Sequence, residues 1–390
     1  MNIEFDKSDW CQVRFGEAVQ HVAERVAPNP SDSKLYIGLE HMDRMTDEVS
    51  RWGTDIELIG TKLKIGKGDV LLARRNPYLR RVQRSPHEGI FSAHGMVLRS
   101  KSNYLLQEFL LRFMQSNYFW DGIDRIAVGS LSKTINWGDI AKFNFLIPSI
   151  DQQKEIIMLF SKIENTHKSY MEFDLQLKVT WRNLEEMLFK NSNAQHTFEA
   201  LAEINPPSTS TKGLTESFLY IDISSINGER EIEIDKLQRF CLPDAPSRAQ
   251  RLVIPGDILV SLVRPLQKSI TVVPQTDQVF VTSSGVAVLK PKNNSSRSMI
   301  NAIIYGDYFT QSMQSKSTGS SYPAIKPRDI QEFKIPDPTA LQNINIVNQI
   351  VSVMEMITAL RQEISELMNL KNALLREIFQ GTVKVGKKNA

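Results

Sequence analysis

Apolar positions recur most regularly near the end of the chain. From Ile346 they step through Ile350, Val353, Ile357, Leu360, Ile364, Leu367, Lys371, Leu374 and Ile378. Steps alternating between four and three residues trace the seam of a coiled coil. The same stations occur 190 positions earlier, as Ile156, Phe160, Ile163, His167, Tyr170, Asp174, Leu177, Trp181, Leu184 and Leu188. His167 and Asp174 interrupt the first seam and Lys371 the second. Each run continues for roughly 38 residues without proline or glycine, which as a helix extends about 57 Å. So long and one-sided a helix needs a partner surface, and its own twin is the nearest one. The pattern predicts antiparallel pairing over 149–190 and 339–380. Extra apolar positions at Val347, Val351, Met354, Met368 and Leu375 imply contact with something more. Capping-box patterns predict both starts, with Ser149 three before Gln152 and Thr339 three before Gln342.

The rest of the chain alternates between short strand-like runs and turns, and it also repeats. Phrases "KLYIGLEHM" (34–42) and "FLYIDISSI" (218–226) correspond, as do "IGKGDVLLA" (65–73) and "IPGDILVSL" (254–262). Further on, Gly95 matches Gly285, Tyr118-Phe119 matches Tyr308-Phe309, and Gly129-Ser130 matches Gly319-Ser320. Asp139-Ile140 matches Asp329-Ile330. Small drifts in offset fit insertions in surface loops, which cost little. Each half reads as a short strand, a Gly-Asp turn into a second strand (Val70–Leu72 or Ile258–Val263), and a third strand (Met96–Leu98 or Val286–Leu289). An amphipathic helix follows, near 104–119 or 298–313. The fold expected is α/β: two similar mixed domains separated by two long antiparallel helices that form a coiled-coil-like spacer.

Composition narrows the class without naming a function. With 41% apolar and 23% charged residues, the 390-residue chain suits a folded, multi-domain protein. Two cysteines give no disulfide framework and no thiolate metal cluster. The acidic start "MNIEFDKSDW" is unlike a secretory signal, and no apolar run is long enough to span a membrane. A cytoplasmic location is the expectation. A net charge of +3 leaves room for a local basic surface.

A search for catalytic chemistry yields near misses. "GTKLKIGKGD" (60–69) has the wrong glycine spacing for a phosphate loop, and no hydroxyl residue follows Lys67. "NPY" (76–78) and "NPPS" (205–208) fall short of the Asn-Pro-Pro-aromatic motif of adenine methyltransferases and read better as proline turns. The six histidines never adopt metal-ligand spacing, and His94 is replaced by Ser284 in the second copy. No catalytic residue and no metal ligand is assigned.

Basic residues are more informative. "LLARRNPYLRRVQR" holds Arg74, Arg75, Arg80, Arg81 and Arg84, and its counterpart "SLVRPLQKS" holds Arg264 and Lys268. The paired Gly-Ser phrases add Ser130, Lys133 and Asn136 in one half, and Ser320, Tyr322 and Lys326 in the other. Guanidinium forks suit phosphates and guanine edges, so these are the candidate DNA-binding residues. On charge alone, a solvated basic face is the competing reading. Two similar domains on a rigid rod favour a duplex polymer read in two segments. The rivals are a scaffold whose domains bind proteins and a solitary DNA-modifying enzyme with a fused recognition module.

The phrases "YIGLEH" (36–41), "GDVLLAR" (68–74), "INWGDIAKFNFLIPSIDQQKEI" (135–156), "GSSYPAIKPRDIQEFKIPDP" (319–338) and "LLREIFQG" (374–381) carry a resemblance. Over nearly its whole length the chain resembles the specificity subunits of type I restriction-modification systems. The resemblance implies a target recognition domain over 1–148, a conserved spacer helix over 149–190, and a second recognition domain over 191–338. A second spacer helix over 339–380 and a basic tail over 381–390 complete the chain. It implies a non-catalytic subunit that reads a bipartite double-stranded DNA target and directs adenine methylation and restriction by partners. Those partners are two modification (methyltransferase) subunits and, through the assembled complex, restriction (helicase-nuclease) subunits. S-adenosylmethionine, ATP and Mg would be held by the partners and no cofactor by this chain. Ile156, Phe160, Ile163, Leu177, Trp181, Ile350, Ile357, Leu360, Ile364 and Leu367 are the expected spacer or partner-docking residues. The stretch "THKSYMEFDLQLKVTW" departs from the family's apolar regularity and puts the docking surface in question.

Overall fold

The computed structural model describes residues 7–29, 35–44, 46–53, 57–101, 103–129, 133–190, 196–226, 231–319 and 321–379. Ser130, Ser320 and the basic tail lie outside the described residues. Two compact units make up the chain: residues 1–170 with 362–390, and residues 171–361.

The first unit contains two four-stranded sheets. One is antiparallel, in the order Val19–Val22, Gly95–Ser100, Val70–Ala73, Val82–Arg84. The other runs Arg25–Val26, Lys62–Ile65, Gly89–Phe91, Tyr36–Ile37, with Tyr36–Ile37 parallel to Gly89–Phe91. Alternate side chains of one strand enter different cores. Val70 and Leu72 join Phe109, Phe113 and Phe145, while Leu71 and Ala73 join Ile37, Leu63 and Phe91. Burial on both faces is why "VLLA" reads as a solid apolar run rather than an alternation.

The second unit repeats this plan. Its antiparallel sheet runs Ala202–Ile204, Val286–Pro291, Ile258–Ser261, Ile270–Val272. Its other sheet runs Arg239–Phe240, Phe218–Ile221, Phe280–Ser283, Ala249–Val253, and Phe218–Ile221 is parallel to Phe280–Ser283. The duplication expected from the repeated phrases is present strand for strand, with one exception. The outermost strand, Arg25–Val26 or Arg239–Phe240, sits at opposite edges in the two copies.

The Gly-Asp turns form as expected. Gly68 and Gly256 take φ values of +87° and +88°, where a side chain would be strained. The following aspartate closes each turn: Asp69 Oδ2 accepts from Gly66 N at 2.7 Å, and Asp257 Oδ2 accepts from Ile254 N at 3.0 Å.

Two local expectations need correction. The single helix expected near 104–119 is two, Gln107–Gln115 and Asn117–Ile126. Ser116 breaks it: its backbone is extended and its Oγ accepts from Phe119 N at 3.3 Å, capping the second helix. Gly306 divides Asn294–Ile304 from Asp307–Lys316 in the other copy. The capping boxes also form only in part. Ser149 Oγ accepts from Gln152 N at 3.3 Å, but the Gln152 Oε1 has no hydrogen-bond partner. Thr339 instead donates its hydroxyl to Asp337 Oδ1 at 2.7 Å, and the helix starts at Leu341.

The long helices are Ile150–Lys190 and Leu341–Phe379, of 41 and 39 residues. Within the first unit, Ile156, Phe160 and Ile163 share a core with Leu374, Leu375, Ile378 and Phe379. Within the second, Trp181 and Glu185 line a common cleft with Met354 and Ile357. Early residues of one helix meet late residues of the other, so they pair antiparallel, as their shared seam predicts. Leu177, Ile350, Ile357 and Leu360 are buried; Trp181, Ile364 and Leu367 are half-buried. Of the extra apolar positions, Val347 and Leu375 are buried within their own units.

One interruption in the seam, Lys371, joins a buried ionic network. Buried Lys371 donates to Asp47 Oδ1 at 2.8 Å and lies 3.8 Å from Glu164. Arg112 pairs with Asp47 and donates to Glu164 Oε2 at 2.8 Å. In the second unit Glu185 accepts from the backbone N–H groups of Asp307, at 3.0 Å, and Tyr308, at 2.8 Å. It caps a helix start, where negative charge is favoured.

Candidate nucleic-acid interface

Each unit carries the same exposed platform, made of a strained turn and a hairpin. In the first, the chain leaves strand Val70–Ala73, enters the left-handed region at Asn76, forms a short helix over Pro77–Leu79, and is left-handed again at Arg80. In the second, Arg264 and Lys268 flank Pro265–Gln267 in the same way. The φ values are 54° and 50° in one copy, 51° and 48° in the other. Few residues other than glycine adopt this region, so four occurrences at matched positions mark a backbone shape under constraint.

Residues on either side of the Gly-Ser positions pair beside this turn. Val128 and Thr134 bridge each other, and Thr134 also bridges Arg75; Thr318, Ala324 and Val263 repeat the arrangement. Asn76 N donates to the Lys133 carbonyl at 3.0 Å, and Arg264 N to the Pro323 carbonyl at 2.7 Å. The two repeated segments of sequence are therefore stitched into one surface by backbone bonds at matched positions.

The structure sorts the candidate basic residues. Arg74 donates to the Ile135 carbonyl at 3.0 Å and to Asn136 Oδ1 at 3.1 Å. Arg80 donates to Asn117 Oδ1 at 2.7 Å, and its counterpart Lys268 to Asp307 Oδ1 at 2.8 Å and the Tyr305 carbonyl at 3.2 Å. Arg81 reaches the Leu39 carbonyl at 2.6 Å, and Arg84 forks onto Glu48 Oε2. Arg75 is the exposed one of the five, beside exposed Lys133 and Asn136. In the second unit Arg264 stacks 4.7 Å from the ring of exposed Tyr322, and Lys326 is exposed. Trp137 packs against Phe15 and His21 rather than facing outward with Lys133.

The field over the first platform is positive. Partial burial, reinforced by Arg75, Arg74 and Lys62, holds the His94 imidazole below its ordinary value. His21 is lowered by burial and then by Arg74. Such a surface attracts polyanions without fixed chemistry of its own. Both Asn-Pro near misses are turns, with Asn205 left-handed like Asn76. Among the described residues no cluster of His, Cys, Asp and Glu is arranged to hold a metal, and no helix is long and apolar enough to cross a membrane.

Sequence reading missed the exposed tips of the turns, Tyr78 and Leu266. The available signal was the matched proline, Pro77 against Pro265, which fixes the turn that lifts them outward.

No family model matches the chain. Over 152 residues, 38% of the chain, it is 22% identical to the type I restriction enzyme EcoDI specificity subunit of Escherichia coli. The match spans about a third of that protein, 34% of its length. A chain from a solved structure on complex assembly and conformational transition of the type I R-M system covers 98% of this chain and 100% of its own length. Its identity is 18% and its TM-score 0.55. The type I restriction-modification system S subunit from M. genitalium matches 98% of this chain and 99% of its own, at 11% identity and TM-score 0.60. At such identities the solved structures establish a shared fold, and the EcoDI match adds a likeness in sequence.

Proposed function

We propose that this chain, similar in sequence and fold to type I specificity subunits, is the DNA-reading subunit of a type I restriction-modification complex. It is non-catalytic in this reading. Residues 1–148 and 191–338 act as target recognition domains, and 149–190 and 339–380 as the spacer helices. Each domain reads one half of a bipartite duplex target, and the helix pair sets the gap between the halves. Two modification subunits dock on the assembly, with restriction subunits joining through it, and they carry out adenine methylation and cleavage. S-adenosylmethionine, ATP and Mg belong to those partners. The setting is the cytoplasm.

The observation that carries this reading is the duplicated platform. A protein that binds one ligand at one site needs one such surface; two copies, each basic and exposed, suit a polymer that repeats its phosphates. Phosphate contacts by Arg75, Lys133, Arg264 and Lys326 position the duplex, and neighbouring polar and apolar side chains read base edges.

The test is to map methylated adenines in cells carrying the partner methyltransferase with and without this gene. A split motif that appears only when the gene is present supports the reading. Methylation by the partner at the same motif without this chain overturns it.

A further inference from the structure

Within that reading, on which this inference rests, the two turns assign different work to neighbouring residues. We propose that Tyr78 and Leu266, the tips of the matched left-handed turns, are the specificity-determining contacts of the two units, each selecting a base in its own half-site.

The backbone shape of the turn is repeated within a few degrees while its residues are not. Asn76, Tyr78, Leu79 and Arg80 in one copy stand where Arg264, Leu266, Gln267 and Lys268 stand in the other. A conformation retained through such change is being used for where it puts its side chains. Both ends are tied down. Arg80 and Lys268 are held by Asn117 and Asp307, at the start of the following helix, and Asn76 and Arg264 are bonded to the hairpin. Arg80 and Lys268 are thus positioning residues rather than contacts.

The tip itself makes no use of the protein interior. Tyr78 is 66% exposed and Leu266 64% exposed, large apolar groups held in water beside Arg75 and Arg264. Isolated exposed apolar residues are ordinary. Two at one station of a duplicated, strained and cationic turn are not. Apolar contact with the thymine methyl in the major groove is the base-edge chemistry open to both side chains, and tyrosine adds a hydroxyl that leucine lacks. The two units are therefore expected to prefer different bases at corresponding places.

The test uses the full chain with its methyltransferase partner and reads the methylated motif genome-wide for Tyr78→Ala, Leu266→Ala and the exchanges Tyr78→Leu and Leu266→Tyr. Each alanine variant is expected to relax one position of one half-site, on the order of tenfold, leaving the other half-site and the gap unchanged. The exchanges are expected to alter the preferred base at that position. A motif identical to wild type in all four variants overturns the assignment while leaving the wider function standing. Uniform loss of methylation, with base preference unaltered at every position in the exchanges, overturns it as well. If the wild-type gene adds no motif at all, the wider reading fails and the assignment with it.

Discussion

Both units build the same strands and the same exposed turn, yet they grip the long helices by opposite means. The first locks Asp47, Arg112, Glu164 and Lys371 into a buried ionic network. At the station 190 residues before Lys371, the second unit has Trp181, and a cleft of about 650 Å³ lies beside it. There the grip comes from Glu185, which caps the helix Asp307–Lys316. Duplication has preserved the backbone that presents the outer surface while leaving the inner electrostatics free to diverge. Packing tolerates that divergence as long as each buried charge finds a partner.

The largest test of this contrast removes one partner from each grip. Asp47→Ala leaves Arg112 and Lys371 to share the Glu164 carboxylate and is expected to cost about 3–5 kcal/mol in unfolding free energy. Glu185→Ala leaves two N–H groups without their acceptor and is expected to cost about 1–2 kcal/mol. Urea unfolding of the full chain measures both; equal losses would erase the distinction.

A second pair probes packing. A Cβ on Gly95 would strike the ring of fully buried Phe91, whereas on Gly285 it would meet Ile223 Cδ1 at an ordinary 3.5 Å. Gly95→Ala is expected to destabilise by about 1–3 kcal/mol. For the matched Gly285→Ala a change within about 0.5 kcal/mol is expected. Thermal melts of both variants check this, and a reversed order would show that the two cores differ in another way.

The remaining pair of effects are slopes with pH, of opposite sign. Burial, helped by the Arg112 guanidinium, pushes the Lys371 ammonium from 10.5 down to about 7. Between those values the folded chain holds fewer protons than the unfolded one, so stability from this group rises with pH over about 7 to 10.5. Burial raises the Glu185 carboxyl above 4.5 against the pull of its two N–H donors. Its contribution is complete below 4.5 and is lost as pH climbs through the raised value. Lys371→Met should flatten the alkaline slope and Glu185→Gln the acidic one, as read from unfolding midpoints across pH. A slope that survives its own substitution would detach that residue from the effect.

The helix seam, the Gly-Asp turns and the duplicated strand plan were legible because each rests on local rules: period, turn chemistry and alternation. His167, Asp174 and Lys371 were legible only as blemishes in a pattern. The partners that make sense of Lys371, Asp47 and Glu164, are over 200 residues away in sequence. The break at Ser116 was hidden because the apolar face continues across it, and only the cap reveals it. For the candidate interface, sequence located the basic run but not its division of labour. Arg74, Arg81 and Arg84 look like Arg75 on paper; what separates them is a carbonyl or carboxylate within reach.

The chain enters and leaves each lobe across one short ladder. Cys11–Arg14 pairs with Asn144–Ile147, and His196–Thr197 with Lys334–Ile335. The two ends of each lobe therefore lie on adjoining strands. An insertion between the paired strands leaves the points of entry and exit together, provided that Asp47 and Arg112 keep their contacts with Glu164 and Lys371.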